Sequence, residues 1–311
     1  ISNKPSKHPV LILLNELKRD ASMAYWKWAQ AYSEVSIYKE ALQNAVIRFE
    51  GVKSSAEYGF RPYIDTVEAL IVVQSRSVEL SKSEVKYQNA ELQLEIYLWD
   101  KGFIPLELDG VVPDLSAKDV GVSLYPELDS LINNHPYIQL NELKIQQNQI
   151  DLQLKKEQLK PKVSLKYNAL SEPVGNDPFA EYSSSNYSWG ASVAYPIFTR
   201  KERGDVQFSK LKLENQELSN VVTMAEINYK VKGAYNDYTQ SLEQYVVLEQ
   251  LVENNQLLYS TELKFFNIGE SSVFMVNSRE TKLLKTQIEF VEIQNKVQML
   301  KNELDYMLMT F

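Results

Sequence analysis

The sequence predicts a mainly α protein of long antiparallel helical hairpins, internally duplicated, with one β-hairpin set between helices. Three observations carry this. Only 10 glycines and 11 prolines punctuate 311 residues, which favours a few very long elements over many short ones. Apolar residues recur at helical spacing through unbroken runs such as 10–58 and 199–266. Two stretches also echo each other. Ala24, Tyr25 and Trp28 fall on Ala234, Tyr235 and Tyr238, Ile37 on Val247, and Ile47 on Leu257. Beyond the hairpin tips, Val67 aligns with Val276, Gln93 with Asn302 and Tyr97 with Tyr306, at an offset one residue shorter, so one tip loop is expected to be a residue longer than the other.

The first helix is read from about Val10 to Tyr58, with Leu14, Leu17, Ala21, Ala24, Tyr25, Trp28, Tyr32, Val35 and Leu42 along its apolar side. Gly59-Phe60-Arg61-Pro62 breaks it, because proline disfavours helix at the residue before it and glycine tolerates turn dihedrals. A second helix returns from Ile64 to about Trp99 and stops at Asp100-Lys101-Gly102. Pro105, Gly110, Pro113 and Gly121 then mark an irregular connector, followed by a short helix from Tyr125 to Leu131. In Asn133-Asn134-His135-Pro136 an asparagine can cap the next helix and proline suits its first turn. That helix runs to about Leu159, and Pro161 ends it.

From Lys162 to Leu170 the chain alternates, with Val163, Leu165, Tyr167 and Ala169 on one face. After a polar loop from Ser171 to Asn186, Tyr187, Trp189, Ala191, Val193, Tyr195 and Ile197 share a face opposite Ser188, Gly190, Ser192 and Ala194. The two runs are expected to pair. Alternation alone suits either a soluble hairpin with one buried face or a strand pair of a membrane barrel. The longest helix spans roughly Thr199 to Phe266, about 100 Å at 1.5 Å per residue. Asn267-Ile268-Gly269-Glu270-Ser271-Ser272 turns it, and the last helix returns toward Phe311. The expected organisation is a first hairpin at 10–99, a connector at 100–135 and a second repeat at 136–311, which holds the β-hairpin at 162–198 and a long helical hairpin at 199–311.

Composition excludes several functions. The net charge of -8 argues against a nucleic-acid footprint, which needs a basic face. The absence of cysteine removes disulfides, thiolate metal sites and cysteine catalysis. No run of eighteen apolar residues encodes a membrane-crossing helix, and Ile1-Ser2-Asn3-Lys4 lacks the layout of a signal peptide, as in a mature, trimmed or cytoplasmic chain. His8 and His135 each precede proline, and His135 reads as a residue that opens a helix. With no Walker, G-x-S-x-G, H-E-x-x-H or dinucleotide pattern, neither an enzyme nor a cofactor or metal site is expected. Carboxylates such as those from Glu202 to Glu217 alternate with lysines as a solvated helix face does.

Trp189-Gly190-Ala191-Ser192-Val193-Ala194-Tyr195-Pro196-Ile197-Phe198, followed by charged residues and Gly204, resembles the strand-to-helix signature of the TolC-type outer-membrane efflux proteins. His135-Pro136, Leu159-Lys160-Pro161-Lys162-Val163-Ser164-Leu165 and Phe265-Phe266-Asn267-Ile268-Gly269-Glu270 agree in order and spacing, covering essentially Asp129 to Phe311. In the first copy, Ala56-Glu57-Tyr58-Gly59 and Ile64-Asp65-Thr66-Val67-Glu68-Ala69 are similar to the family's tip and departing helix.

The resemblance implies a homotrimer in the bacterial outer membrane. Its β-hairpins build a shared barrel, and its long helices extend into the periplasm as an α-barrel. Such a trimer works as a passive duct for drugs or secreted substrates, beside a periplasmic adaptor and an inner-membrane pump in tripartite efflux or type I secretion. It further implies that Tyr187, Trp189, Val193, Tyr195 and Ile197 meet lipid. The periplasmic mouth would fall at Gly59, Arg61, Asp65, Gly269, Glu270 and Asn277. Asp65 reads equally as a gating contact and as an acid stabilising a helix N-terminus, and Arg61 is expected to pair with it across a protomer boundary.

Two departures stand out. The family's first β-hairpin is missing, as though the chain were truncated. Phe274 and Asn277 also occupy positions where the family often carries aspartates after the second loop, which weakens the expectation of an acidic ring. Two other readings compete. A periplasmic adaptor shares the coiled-coil content but needs strand-rich domains, for which Asp100 to Leu124 leaves no room. A coiled-coil scaffold accounts for the helices but not for the aromatic strand joined to the longest of them.

Overall fold

A computed structural model of the chain describes residues 8–108, 110–115, 135–168, 187–195 and 199–309. Its elements are α1 (His8–Glu57), α2 (Tyr63–Glu95), α3 (Pro136–Glu157), β1 (Lys162–Asn168), β2 (Ser188–Ala194), α4 (Arg200–Asn267) and α5 (Val273–Leu308). Among the described residues, the mainly helical, duplicated architecture with one small β-hairpin is the one the sequence predicts. The expected short helix at 125–131 and the loop at 171–186 lie outside the described residues.

Packing divides the chain into two units, one of residues 1–132 and 227–311 and the other of 133–226. In the first unit α1 and α2 form an antiparallel hairpin with a seam of small residues. Ala69, Arg76, Ser83 and Ala90 of α2 are buried at heptad spacing, facing an α1 stripe that includes Ala24, Trp28, Ala31, Ala45 and Val52. Small side chains let the two backbones approach closely, and Trp28 fills the wide end near Leu94 and Leu108. The second hairpin repeats this. Val231, Ala234 and Tyr238 of α4 pack on Val297, Leu304 and Leu308 of α5. α1 also packs along α5, and α2 reaches α5 as well, where Arg76 Nη2 donates to Thr281 Oγ1 at 2.9 Å.

The structure corrects the alignment of the two copies. Gly59 and Gly269 both adopt positive φ, +78° and +84°, just past the ends of α1 and α4. The Phe60 amide donates to the Ser55 carbonyl and the Gly59 amide to Ala56, as the Glu270 amide donates to Phe265 and that of Gly269 to Phe266. These are matching Schellman turns. α2 starts at Tyr63 and α5 at Val273, so the tip loops are equal in length and the separation of Gly59 from Gly269, 210 residues, holds on both sides. Buried pairs follow it: Ala24 with Ala234, Trp28 with Tyr238, Leu94 with Leu304. The shorter offset set the half-exposed Val67 on Val276, which is fully buried, whereas the offset of 210 sets Val276 on the buried Thr66.

Two smaller boundaries also shift. α2 ends at Glu95, and the chain makes a tight excursion in which Trp99 bridges Pro105 and the Leu106 amide donates to the Leu98 carbonyl. At the start of α3 the cap is His135, whose ring accepts from the Tyr137 amide at 3.3 Å, with Pro136 at the first helical position.

In the second unit α3 runs antiparallel to residues 200–226 of α4. Asn141 Nδ2 donates to Thr223 Oγ1 at 3.2 Å and Ser209 Oγ to Asp151 at 3.3 Å. β1 and β2 pair antiparallel, with Val163 opposite Val193 and Tyr167 opposite Trp189.

Candidate functional site

Two regions carry the predicted residues: the tips of the helical hairpins and the exposed faces of the strands. At the tips, glycine is required where each helix reverses. A side chain at φ near +80° is strained, although no atom lies within 4 Å of an added Cβ at Gly59 or Gly269. Arg61 then ties the first tip to the second. Its guanidinium lies 4.2 Å from the Phe266 ring centroid, its Nη2 reaches the Phe266 carbonyl at 3.5 Å and its Nη1 approaches Asp65 at 3.7 Å. The expected Arg61–Asp65 pair therefore forms within one chain, because four residues across a helix start bring the two side chains together. Asp65 sits in the first turn of α2, whose N-cap, Pro62, supplies no side-chain acceptor.

The second tip is organised differently. Ser272 Oγ accepts from the Met275 amide at 3.2 Å, Ser271 Oγ donates to Glu262 at 2.5 Å, and Arg279 approaches Glu262 at 3.6 Å. Glu270 is exposed, as is Phe274, whereas Asn277 is buried on α5 with neither amide atom hydrogen-bonded among the described residues. Around both turns Tyr58, Phe60, Tyr63, Ile64 and Ile268 project into solvent.

Just above the tips lies a charged pair that sequence reasoning missed. Arg48 of α1 and Glu280 of α5 form an ion pair with each side chain only 6% exposed, and the Tyr259 hydroxyl of α4 donates to Glu280 at 3.3 Å. Burial, then the Glu280 carboxylate, pushes the Tyr259 phenol up, with Arg48 opposing. A groove of about 430 Å³ opens beside it between Ile47, Gly51 and Ser55 on α1 and Leu263 and Phe266 on α4. A signal was present in the sequence: Arg48 falls on the stripe Ala41, Ala45, Val52, and Glu280 on Val273, Val276, Leu283. Opposite charges on two apolar stripes predict a buried pair.

In the strands, the register puts Val163, Leu165, Tyr167, Trp189, Ala191 and Val193 on one face and Lys162, Ser164, Lys166, Asn168, Ser188, Gly190 and Ser192 on the other. Tyr187 joins the aromatic end, its ring 6.1 Å from that of Tyr167, and Tyr195 is exposed beyond β2. Ile197 lies outside the described residues. Both strands are exposed throughout. A two-stranded hairpin with a bare apolar face is marginal in water, whereas such a face flanked by Tyr and Trp suits lipid. Among the described residues no helix is long and apolar enough to cross a membrane, and no His, Cys, Asp and Glu cluster has the arrangement of a metal site.

Duplicated helical hairpins in one chain with a strand pair whose aromatic face is exposed define a long-helix class of protein. Residues 128–308, more than half of the chain, match the family described as outer membrane efflux protein, and the chain belongs to that family. The family places it in the outer membrane as an efflux channel component, and the family's channels are transport components without enzymatic function.

Solved structures share the fold at low identity. A membrane protein from Pseudomonas aeruginosa aligns at 15% identity and TM-score 0.79, over 97% of this chain and 69% of that one. The outer membrane protein VceC from Vibrio cholerae aligns at 16% and 0.79, over 97% and 72%. The CmeC outer membrane channel of Campylobacter jejuni aligns at 15% and 0.77, over 97% and 64%. No curated protein matches the chain.

Proposed function

We propose that the chain assembles as a homotrimer whose helices form a periplasmic duct and whose strands enter a shared barrel. The trimer serves as the passive exit of a tripartite efflux or type I secretion system for drugs or secreted substrates. The observation that carries this reading is the repeated tip. Two copies of one Schellman turn, at Gly59 and Gly269, each close a long hairpin and carry exposed aromatic or aliphatic residues. One chain thus presents the same turn twice, each with its own exposed apolar side chains, as a ring of pseudo-equivalent tips requires.

The mouth is assigned to Gly59, Arg61, Asp65, Gly269 and Glu270, with Asn277 packed behind them. Tyr58, Phe60 and Tyr63 offer the apolar surface for a periplasmic adaptor, which in turn engages an inner-membrane pump. Tyr187, Trp189, Val193, Tyr195 and Ile197 are assigned to lipid, and Ser188, Gly190 and Ser192 to the lumen.

The test is made on the full-length protein. In detergent its protein mass by light scattering should equal three chains, and in planar bilayers it should give discrete conductance steps. A monomeric mass without conductance refutes the duct.

A further inference from the structure

We propose that a basic groove between α1 and α2 holds a short acidic peptide segment of the exported cargo. The inference deepens the duct reading above, on which it rests, by naming a substrate class. The groove has a volume of about 540 Å³ and is lined by Lys27 and Gln30 of α1 and by Lys82, Lys86, Asn89 and Gln93 of α2. Three acids along it are already engaged within the chain. The buried Glu34 takes Lys86 Nζ and Gln30 Nε2, both at 2.7 Å, Asp20 holds Arg19 at 2.8 Å, and Glu79 holds Arg76 at 2.8 Å. Lys27 and Lys82 are exposed and form no ion pair among the described residues.

The duplication makes this charge a property of the first copy alone. At the 210-residue offset Lys27 becomes Asp237, Lys82 becomes Glu292 and Gln93 becomes Glu303, while Lys86 keeps its charge as Lys296 and Gln30 its amide as Gln240. Both hairpins bury the same positions, Ala24 and Ala234, Trp28 and Tyr238, so the helical scaffold requires neither sign in the groove. Two uncompensated lysines in one groove of a chain with net charge -8 therefore mark a place that favours negative charge.

The lining narrows the ligand. No aromatic ring lines the groove, so a nucleobase has no surface to stack on. Lysine ammoniums pair with carboxylates, and the side-chain amides of Asn89 and Gln93 each donate and accept, as a peptide backbone does. From Lys82 to Gln93 α2 rises about 16 Å, the span of about five residues of extended peptide. A segment of that length with two acids matches Lys27 and Lys82. Its source follows from the face. Tyr25 and Lys27, two residues apart, lie on opposite sides of α1. The connector runs on the Tyr25 side, where the Asp114 amide donates to the Tyr25 hydroxyl at 3.0 Å. A connector inside a duct would obstruct it, so the groove faces the lumen, where cargo passes.

The full-length protein in detergent is titrated with fluorescein-labelled pentaglutamate at low salt, where exposed charges are least screened, and read by fluorescence anisotropy. Saturable binding is expected. It should weaken about tenfold in Lys27→Gln/Lys82→Gln, persist in Lys27→Arg/Lys82→Arg, and be unchanged in Lys296→Gln of the second copy. An acrylate oligomer of the same charge, which has no peptide backbone, should bind about tenfold more weakly than the peptide. In planar bilayers pentaglutamate should reduce the open-channel current. No saturable binding, an equal loss in Lys296→Gln, or equal affinity for the acrylate would overturn the groove as a peptide site, while a trimeric mass with discrete conductance steps would leave the duct standing. Binding that never alters the current would overturn the assignment to cargo. A monomeric mass without conductance would remove the duct and this proposal with it.

Discussion

Replacing Glu280 with glutamine removes one half of the buried pair and leaves the Arg48 guanidinium, on a side chain 6% exposed, without its counter-charge. Breaking a buried pair from one side costs about 3–5 kcal/mol, and the Tyr259 hydroxyl at 3.3 Å loses a charged acceptor as well. At roughly 2–4 °C per kcal/mol, the melting temperature should fall by about 6–20 °C. Arg48→Leu combined with Glu280→Leu removes both charges and copies Leu258 and Leu70, which the duplication places at the equivalent positions. Apolar replacement of a whole buried pair is neutral or stabilising by about 1–4 kcal/mol. The assay is thermal unfolding of the full-length protein, followed by circular dichroism, on Glu280→Gln and on the double-mutant cycle of the parent, Arg48→Leu, Glu280→Leu and the double leucine variant. The reasoning fails if Glu280→Gln costs under about 1 kcal/mol, or if the double variant loses as much as the two single variants added together.

Val193→Arg on the apolar strand face should cost roughly 2–4 kcal/mol in the membrane and Ser192→Arg much less, read as the yield of heat-resistant trimer; a greater loss for Ser192→Arg would reverse the face assignment. Asp65→Asn should release the Arg61 contact and give larger or more frequent openings in single-channel records, whereas unchanged conductance with a lowered melting temperature would leave Asp65 as a helix-terminal charge only. Gly59→Ala should destabilise by about 1–2 kcal/mol through its left-handed backbone, while Gly51→Ala, inside α1 with open space around it, should stabilise by about 0.5–1 kcal/mol. Burial foremost, with a nearby carboxylate in each case, raises the phenols of Tyr38, Tyr87, Tyr245 and Tyr259 above the ordinary 10.0. The folded chain keeps these protons where the unfolded chain releases them, so stability should be complete below about pH 10 and fall as pH rises through the folded values. Tyr259→Phe should shallow that alkaline slope; an unchanged slope would exclude Tyr259 from it.

The sequence by itself determined the helices, the strand pair and the family. Those depend on local periodicity, on glycine where the backbone must turn left-handed, and on proline where a helix must begin or end. Gly59, Gly269, Pro136 and the Trp189 to Val193 alternation were legible for that reason. Tertiary structure decided what distant helices do to each other. Residue likeness placed the half-exposed Val67 on the buried Val276, but the equal tips and the pairing of Leu94 with Leu304 fix the offset at 210, because packing requires buried positions to match and likeness of residue type does not. Arg61 stacks on Phe266, 205 residues away, and Arg48 finds Glu280 at a separation of 232. A charge on an apolar stripe shows in sequence that some partner must exist. Only the seam between α1 and α5 selects which one, because burial makes an unpaired charge too costly to leave in place.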